Sequence, residues 1–294
     1  LLKIMAGMKS TWPVLFVGLL ISNVSITVYA TNSLTVYYPR PETQDDQRTN
    51  YPLRLLSLAL EKTANDVVLK PTEKVMNQAR ALSQLEKGHQ VDVVWSMTSI
   101  EREKKLMPIR IPIYKGLIGW RIFLIHQDDV ALFASIQGGE ELKNKRALQG
   151  SDWPDRTILE ANGFAVSHTP IYENLFKMLT LKRGDYFPRS IVEIWSEADR
   201  YSKDKIVIEK THLIKYPTAF YFFVNLDKAD LAEVIAEGLE IAISDGSFEA
   251  LFLEVHQDII DRVDLPRRRM ITLDNPTLPL ETPLDREVLW FRVE

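Results

Sequence analysis

Residues 91–125 read VDVVWSMTSIEREKKLMPIRIPIYKGLIGWRIFLI, and the rest of the chain is organised around them. The run Val91-Asp92-Val93-Val94-Trp95 predicts a strand with apolar residues on both faces, the pattern of a sheet covered by helices. It breaks into the polar loop Ser96-Met97-Thr98-Ser99. A short charged helix, Glu101 to Leu106, follows, then a proline-punctuated extended run, then a second apolar strand over 117–125. Hydroxyls and backbone N–H groups at the carboxyl end of a strand, with an arginine one helical turn on, form a place to hold an anion.

Working outward from this stretch, the N-terminal side alternates strand and helix. Leu34 to Tyr38 predicts a strand. Pro52 opens a helix on which Leu53, Leu56 and Leu60 recur at helical spacing. Val67-Val68-Leu69 gives a second strand, and Val75, Ala79 and Leu82 a second helical face stopped by Gly88. Such alternation predicts an α/β fold with parallel pairing and right-handed crossovers. Ligands of such sheets collect at the carboxyl ends of strands, which places Tyr38, Trp95, Ser96 and Thr98 on one rim. Tyr38 and Trp95 there either wall off a ligand or belong to the core.

On the C-terminal side a second α/β unit begins. Arg146 to Gln149 predicts a strand, and Ser151 or Asp152 the cap of a helix ending at Asn162 before Gly163. Helices are expected over 172–183, 229–243 and 248–260, with a brief strand at Asp185-Tyr186-Phe187. Ser190 and Glu193 have capping-box spacing. Thr218 to Asn225 predicts a strand that crosses back to the first unit. Beyond residue 261, Pro266, Pro276, Pro279 and Pro283 disfavour helix and regular sheet, while Val288, Leu289, Trp290 and Phe291 are too apolar for a free tail. An extended strap over one lobe is expected, with Arg267-Arg268-Arg269 a solvated turn rather than an anion site.

Strand, Thr/Ser-rich loop, Glu-Arg and extended crossover, in that order, resemble the family-3 periplasmic solute-binding proteins, and the helix–Asp-Gly-Ser–helix order over 229–260 is similar to the end of that family. The resemblance covers about 34–260. It implies two α/β lobes, each a mixed, mostly parallel sheet with helices on both faces, joined by a two-strand hinge near 112–119 and 218–225. The implied divisions are a first lobe from 31–116 and 218–262, a second lobe over 117–217, and a strap over 263–294. It implies that Ser96, Thr98 and Arg102 contact a ligand carboxylate, although Met97 to Arg102 is one residue shorter than the usual family spacing. As an alternative, Arg102 is one of the solvated charges of Glu101 to Lys105. The resemblance also places Ser151 and Asp152 at a helix N-terminus facing the ligand. The acid that pairs with a ligand ammonium in amino-acid binders falls here on Arg189 or Ser190. A cation at 189 would repel an ammonium and attract an anion, unless Arg189 turns outward. Either Asp152 or another acid takes that role, or the ligand is not a plain α-amino acid. The expected ligand is a small polar solute bearing a carboxylate or another anion, amino-acid-like or an organic anion.

Composition narrows the function classes. At 294 residues and 46% hydrophobic content the chain holds two ordinary lobes. There is no cysteine, so no disulfide, thiolate metal site or lipidated Cys. Formal net charge is −4, and residues 1–30 contain two lysines and no acid, so the remainder is more acidic still. That argues against a nucleic-acid partner. Lys3, Lys9, the apolar run Trp12 to Ile21 and Val28-Tyr29-Ala30 describe a cleavable signal peptide over 1–30, and hence an exported, periplasmic protein. The alternative, an uncleaved anchor, has only about half the ~20 residues that span a bilayer. His89, His126, His168, His212 and His256 show no metal-ligand spacing, no catalytic motif stands out, and no cofactor is expected. The expectation is a monomeric binding module serving an inner-membrane ABC importer or membrane sensor. Two alternatives are an enzyme on the same fold, as in cyclohexadienyl dehydratases, and an interaction protein with a degenerate cleft.

Overall fold

The computed structural model describes residues 34–41, 47–63 and 66–292. The signal-peptide expectation lies outside them. Among the described residues no helix is long and apolar enough to cross a membrane.

The chain opens with β1 (Leu34–Arg40), α1 (Asn50–Lys62), β2 (Val67–Val75) and α2 (Gln78–Glu86). β1 and β2 pair in parallel, Leu34 opposite Val67, as the alternation predicts. Asp92 N and Val93 N both donate to Tyr37 O, at 2.8 and 3.2 Å, so the run starting at Val91 lies beside β1. β3 (Val94–Met97) begins three residues later than the apolar pattern suggests. It is followed by α3 (Ile100–Glu103), shorter than the expected helix, with Ser99 Oγ accepting from Arg102 N at 3.2 Å as its N-cap. β4 (Met107–Ile109) leads out of this lobe.

The second lobe is built on one seven-stranded sheet. Its strands are β5 (Trp120–His126), β6 (Arg146–Gly150), β7 (Ala165–Thr169), β8 (Tyr186–Ser190), β9 (Ile206–Ile208) and β10 (His212–Lys215), with a last strand from the tail. Between them run α4 (Val130–Ser135), α5 (Gly139–Lys143), α6 (Pro154–Ala161), α7 (Tyr172–Thr180) and α8 (Ile194–Arg200). β6, β7 and β8 pair in parallel, whereas β5 is antiparallel to β8, β9 and β10. The sheet is mixed because β5 enters from the first lobe and β10 leaves towards it.

β11 (Phe220–Val224) then pairs antiparallel with both β3 and β4, closing the first lobe's three-stranded sheet. α9 (Ala229–Ser244) packs on it, and α10 (Ser247–Arg262) packs on α9 and α1. The two crossing segments are hydrogen-bonded to each other: Ile113 N donates to Phe220 O at 2.9 Å and Tyr216 N to Gly119 O at 3.2 Å. Within the expected 218–225 crossing, most residues are thus sheet of the first lobe, and the crossing itself lies at 216–219.

The tail departs from an irregular strap at its start. β12 (Arg269–Thr272) adds in parallel to β10 at the edge of the second lobe's sheet. Of the arginine run, only Arg267 is the exposed turn residue expected. Arg268 Nη1 donates to the carbonyls of Glu209 and His212 at 2.8 and 3.0 Å, and Arg269 Nη1 to that of Ile136 at 2.6 Å. Two of the three cations therefore hold the tail to the sheet.

Candidate functional site

β1, β3, the start of β5, the start of α6 and the end of β8 converge on an inner cavity of about 130 Å³ between the lobes, lined by Trp95, Met97, Arg121, Trp153, Asp155, Arg189 and Glu193 among others. Two of its arginines, Arg121 and Arg189, are matched by carboxylates. Arg121, a buried cation in the otherwise apolar β5, meets Asp155 at 2.6 Å and Glu193 at 3.4 Å, and its Nε donates to Tyr216 Oη at 3.0 Å. The Tyr216 hydroxyl in turn donates to Asp155. Arg189 donates to both oxygens of Glu197, at 2.7 and 2.6 Å, lies 3.1 Å from Glu193, and stacks over Trp153 and Phe187. Burial alone would pull the Arg189 pKa down, but Glu193 and Glu197 outweigh it and hold it well above the ordinary value. For Glu193, burial pushes the carboxyl up, and Arg189 and Arg121 hold it below the ordinary range.

Arg189 therefore lines the cavity and does not turn outward, yet its charge is committed to two carboxylates. The unpaired anion-attracting cation expected at this position is not what the structure shows. Ser190 and Glu193 keep part of the expected capping box: the Glu193 carboxylate accepts from the Ser190 backbone N–H and Ser190 Oγ from Val192 N at 3.4 Å. Ser190 Oγ also donates to Leu117 O at 3.0 Å, and Glu193 joins the arginine network.

Arg102 is different. It lines a larger adjoining cavity of about 720 Å³ that takes walls from α2 and α3, from Ser151, Asp152 and Trp153, and from Pro276 and Thr277 of the tail. Its Nη1 donates to Ser96 Oγ at 2.9 Å and to Met97 O. Among the described residues no carboxylate lies within ion-pair distance of it. Burial lowers its pKa to about 10, against the opposing pull of Asp152 and Asp155, so it remains a cation at neutral pH.

The other expected residues divide. Trp95 lines the inner cavity, with Tyr38 behind it at 6.0 Å between ring centroids. Tyr38 does not itself line either cavity. Ser96 positions Arg102. Thr98 is fully buried, with its hydroxyl donating to Glu103, itself paired with Arg110. Ser151 and Asp152 face the outer cavity but cap nothing: the N-cap of α6 is Trp153, with Pro154 at the first turn and no side-chain cap. Ser151 Oγ instead lies 3.0 Å from His168 Nδ1. Sequence reasoning passed over Arg121, Asp155 and Glu197. One signal was available for Arg121, since a charge inside Trp120–His126 must find a partner once that strand is buried.

With paired crossing segments between two α/β lobes and cavities at the carboxyl ends of strands, the chain has the fold of the two-lobed periplasmic binding proteins. Its structural neighbours include amino-acid-binding proteins of that type. An ancestral arginine-binding protein bound to arginine superposes with TM-score 0.57 at 16% identity, over 76% of this chain and 97% of that one. A probable amino-acid ABC transporter extracellular-binding protein, ytmK from Bacillus subtilis, gives 0.55 at 20% identity, over 76% and 97%. A histidine kinase sensor domain with similarity to periplasmic binding proteins gives 0.56 at 18% identity, over 76% and 96%. No protein-family model and no curated protein sequence matches the chain.

Proposed function

We propose that this protein is an exported solute-binding protein whose lobes close over a small polar solute bearing a carboxylate or a similar anion. Arg102 carries the reading. It is a half-buried guanidinium held by one hydroxyl and one carbonyl, facing a cavity with walls from both lobes. A buried charge without a counter-ion is costly, and a ligand carboxylate would supply a charge-assisted bond. Arg121 and Arg189 offer no such vacancy, because Asp155, Glu193 and Glu197 already neutralise them. Ser151 and Asp152 meet the ligand from the second lobe, and Trp95 walls the inner cavity. Closure is favoured only by contacts that the solute makes with both lobes at once. The paired segments at 112–119 and 216–219 act as the hinge, and the loaded protein hands its solute to an inner-membrane ABC permease or reports it to a membrane sensor.

A thermal-unfolding screen against amino acids, organic acids, polyamines and sugars tests this. A ligand at a hundred times its dissociation constant adds about 2.7 kcal/mol of stability. Carboxylate-bearing compounds should stabilise the wild type, and Arg102→Ala should weaken the hit at least about tenfold while the fold survives. Stabilisation by uncharged sugars alone, or an unchanged affinity in Arg102→Ala, would remove the reading. Consumption of the hit during incubation would convert it to an enzymatic one.

A further inference from the structure

The tail is bonded to both lobes and to both crossing segments. Its second-lobe anchors come first. β12 pairs with β10 in a four-residue register, and Asp274 makes a reciprocal pair with Asn162, whose Nδ2 donates to Asp274 O at 2.8 Å and whose Oδ1 accepts from Asp274 N at 3.2 Å. Three residues later the tail is bound to the first lobe: Thr277 O accepts from Ile100 N at 2.9 Å, on the first turn of the helix that carries Arg102. Three residues span about 10 Å at full extension, so this is a short tether and a third connection between the lobes.

The same tail is fastened to both crossing segments. Asn275 Nδ2 donates to Pro217 O at 2.9 Å, on the second crossing. Phe291 N donates to Lys115 O at 2.8 Å, on the first. That first crossing contains two successive residues in the left-handed region, Lys115 at φ 47° and Gly116 at φ 79°, where a change of backbone torsion would bend the chain. The Trp290 indole lies directly on Gly116, so close that a Cβ there would fall 2.7 Å from its Cε3. The indole is itself fixed, its Nε1 donating to Pro283 O at 2.8 Å. Between Pro283 and Trp290, Arg286 makes a two-pronged ion pair with Glu240 of α9 in the first lobe.

We infer that the C-terminal tail is a splint for the hinge, in which Asn275, Arg286 and Trp290 restrain the opening of the lobes and Thr277 positions the Arg102 helix relative to the second lobe. A two-segment hinge bends by torsion at a few residues. Here one of them, Gly116, is covered by an indole, and any rotation must carry the tail along or break its bonds to one lobe.

The test needs no solute, so it stands or falls apart from the identity of the ligand. The chain has no cysteine. Lys87→Cys on the first lobe and Lys177→Cys on α7 of the second are exposed positions for paired spin labels on the otherwise intact protein. Pulsed electron–electron resonance on the ligand-free wild type should give one narrow distance distribution. Trp290→Ala should broaden it and add a longer-distance population, and Asn275→Ala with Arg286→Ala should do the same through surface changes that leave the cores alone. A lower melting temperature by itself would fit a merely structural tail; the added distance population would not. Distributions identical to wild type in both folded variants would overturn the splint, as would a wild type already populating two separated distances.

Discussion

The Arg189 guanidinium and the Glu197 carboxylate meet through Nε and Nη2 at 2.7 and 2.6 Å, both side chains all but removed from water. They sit eight residues apart, across the turn from β8 into α8. Tyr172 Oη donates to the same carboxylate at 2.6 Å. A buried ion pair of this kind is expensive to halve and much less so to replace whole. Glu197→Gln is therefore expected to lower stability by about 3–5 kcal/mol. Replacing both residues together, as Arg189→Met with Glu197→Leu, should cost clearly less than Arg189→Met and Glu197→Leu made singly and added. Urea unfolding of the four proteins in a double-mutant cycle checks this, and strict additivity would contradict it.

Ser96 offers a milder change beside Arg102. Its hydroxyl accepts from Arg102 Nη1 at 2.9 Å while being fully buried. Ser96→Ala removes one of the guanidinium's two anchors without touching its charge. Loss of a single hydrogen bond is worth about 1 kcal/mol, so affinity for a carboxylate solute should fall roughly fivefold. Isothermal titration with the best ligand of the thermal screen measures it. A loss as large as that of Arg102→Ala would mean that the hydroxyl itself meets the solute.

How far these residues could be read from the sequence follows from what each one needs. β1, α1, β2, β5, β6, α9 and α10 announce themselves because their apolar residues recur at the spacing of the element that buries them. The Ser96–Arg102 contact is legible for a similar reason: a strand end and one helical turn, both local features, place the two residues together. The partner of Thr98 is not legible, because its hydroxyl goes to Glu103, a contact set by how α3 folds back and not by any pattern in the loop. Whether Arg189 faces the cavity, and what its charge meets, is not legible, since Glu197 lies on a different element and only the fold brings it within 2.7 Å. β10 and β12 escaped notice because four-residue strands carry too little periodicity, and β12 is mostly exposed at a sheet edge.

His256 supplies a pH prediction. It is buried among the rings of Tyr51, Tyr114 and Phe252, neither ring nitrogen has a hydrogen-bond partner among the described residues, and burial lowers its pKa to about 4. The unfolded chain would take up that proton near pH 6.5. Between about pH 6.5 and 4 the unfolded state thus binds a proton that the folded state refuses, and stability falls as pH falls. The full effect is about 3 kcal/mol, and above pH 6.5 this group contributes no slope. His256→Phe should keep the aromatic packing and flatten the decline between pH 7 and 5. Urea midpoints at those two pH values decide it; an unchanged decline would place its source elsewhere.

Gly238 gives a prediction whose sign is opposite to helix propensity. It lies inside α9, where alanine is ordinarily better than glycine by about 1 kcal/mol. Here α9 crosses α1 so closely that an added Cβ would fall 1.9 Å from Ala59 O and 2.5 Å from Ala59 C. Both atoms are backbone of a helix whose Leu55, Leu56 and Leu60 are locked in the core, so they cannot swing aside as a flexible side chain would. The helices must move apart and loosen the core of the first lobe. Overpacking of this sort typically costs 1–3 kcal/mol, occasionally more, enough to outweigh the propensity gain. Gly238→Ala should therefore lower the melting temperature, whereas Ser244→Ala, at the far end of the same helix, should leave it nearly unchanged. A Gly238→Ala protein as stable as the wild type would mean that α1 and α9 are not packed backbone to backbone, and that the first lobe is held together in some other way.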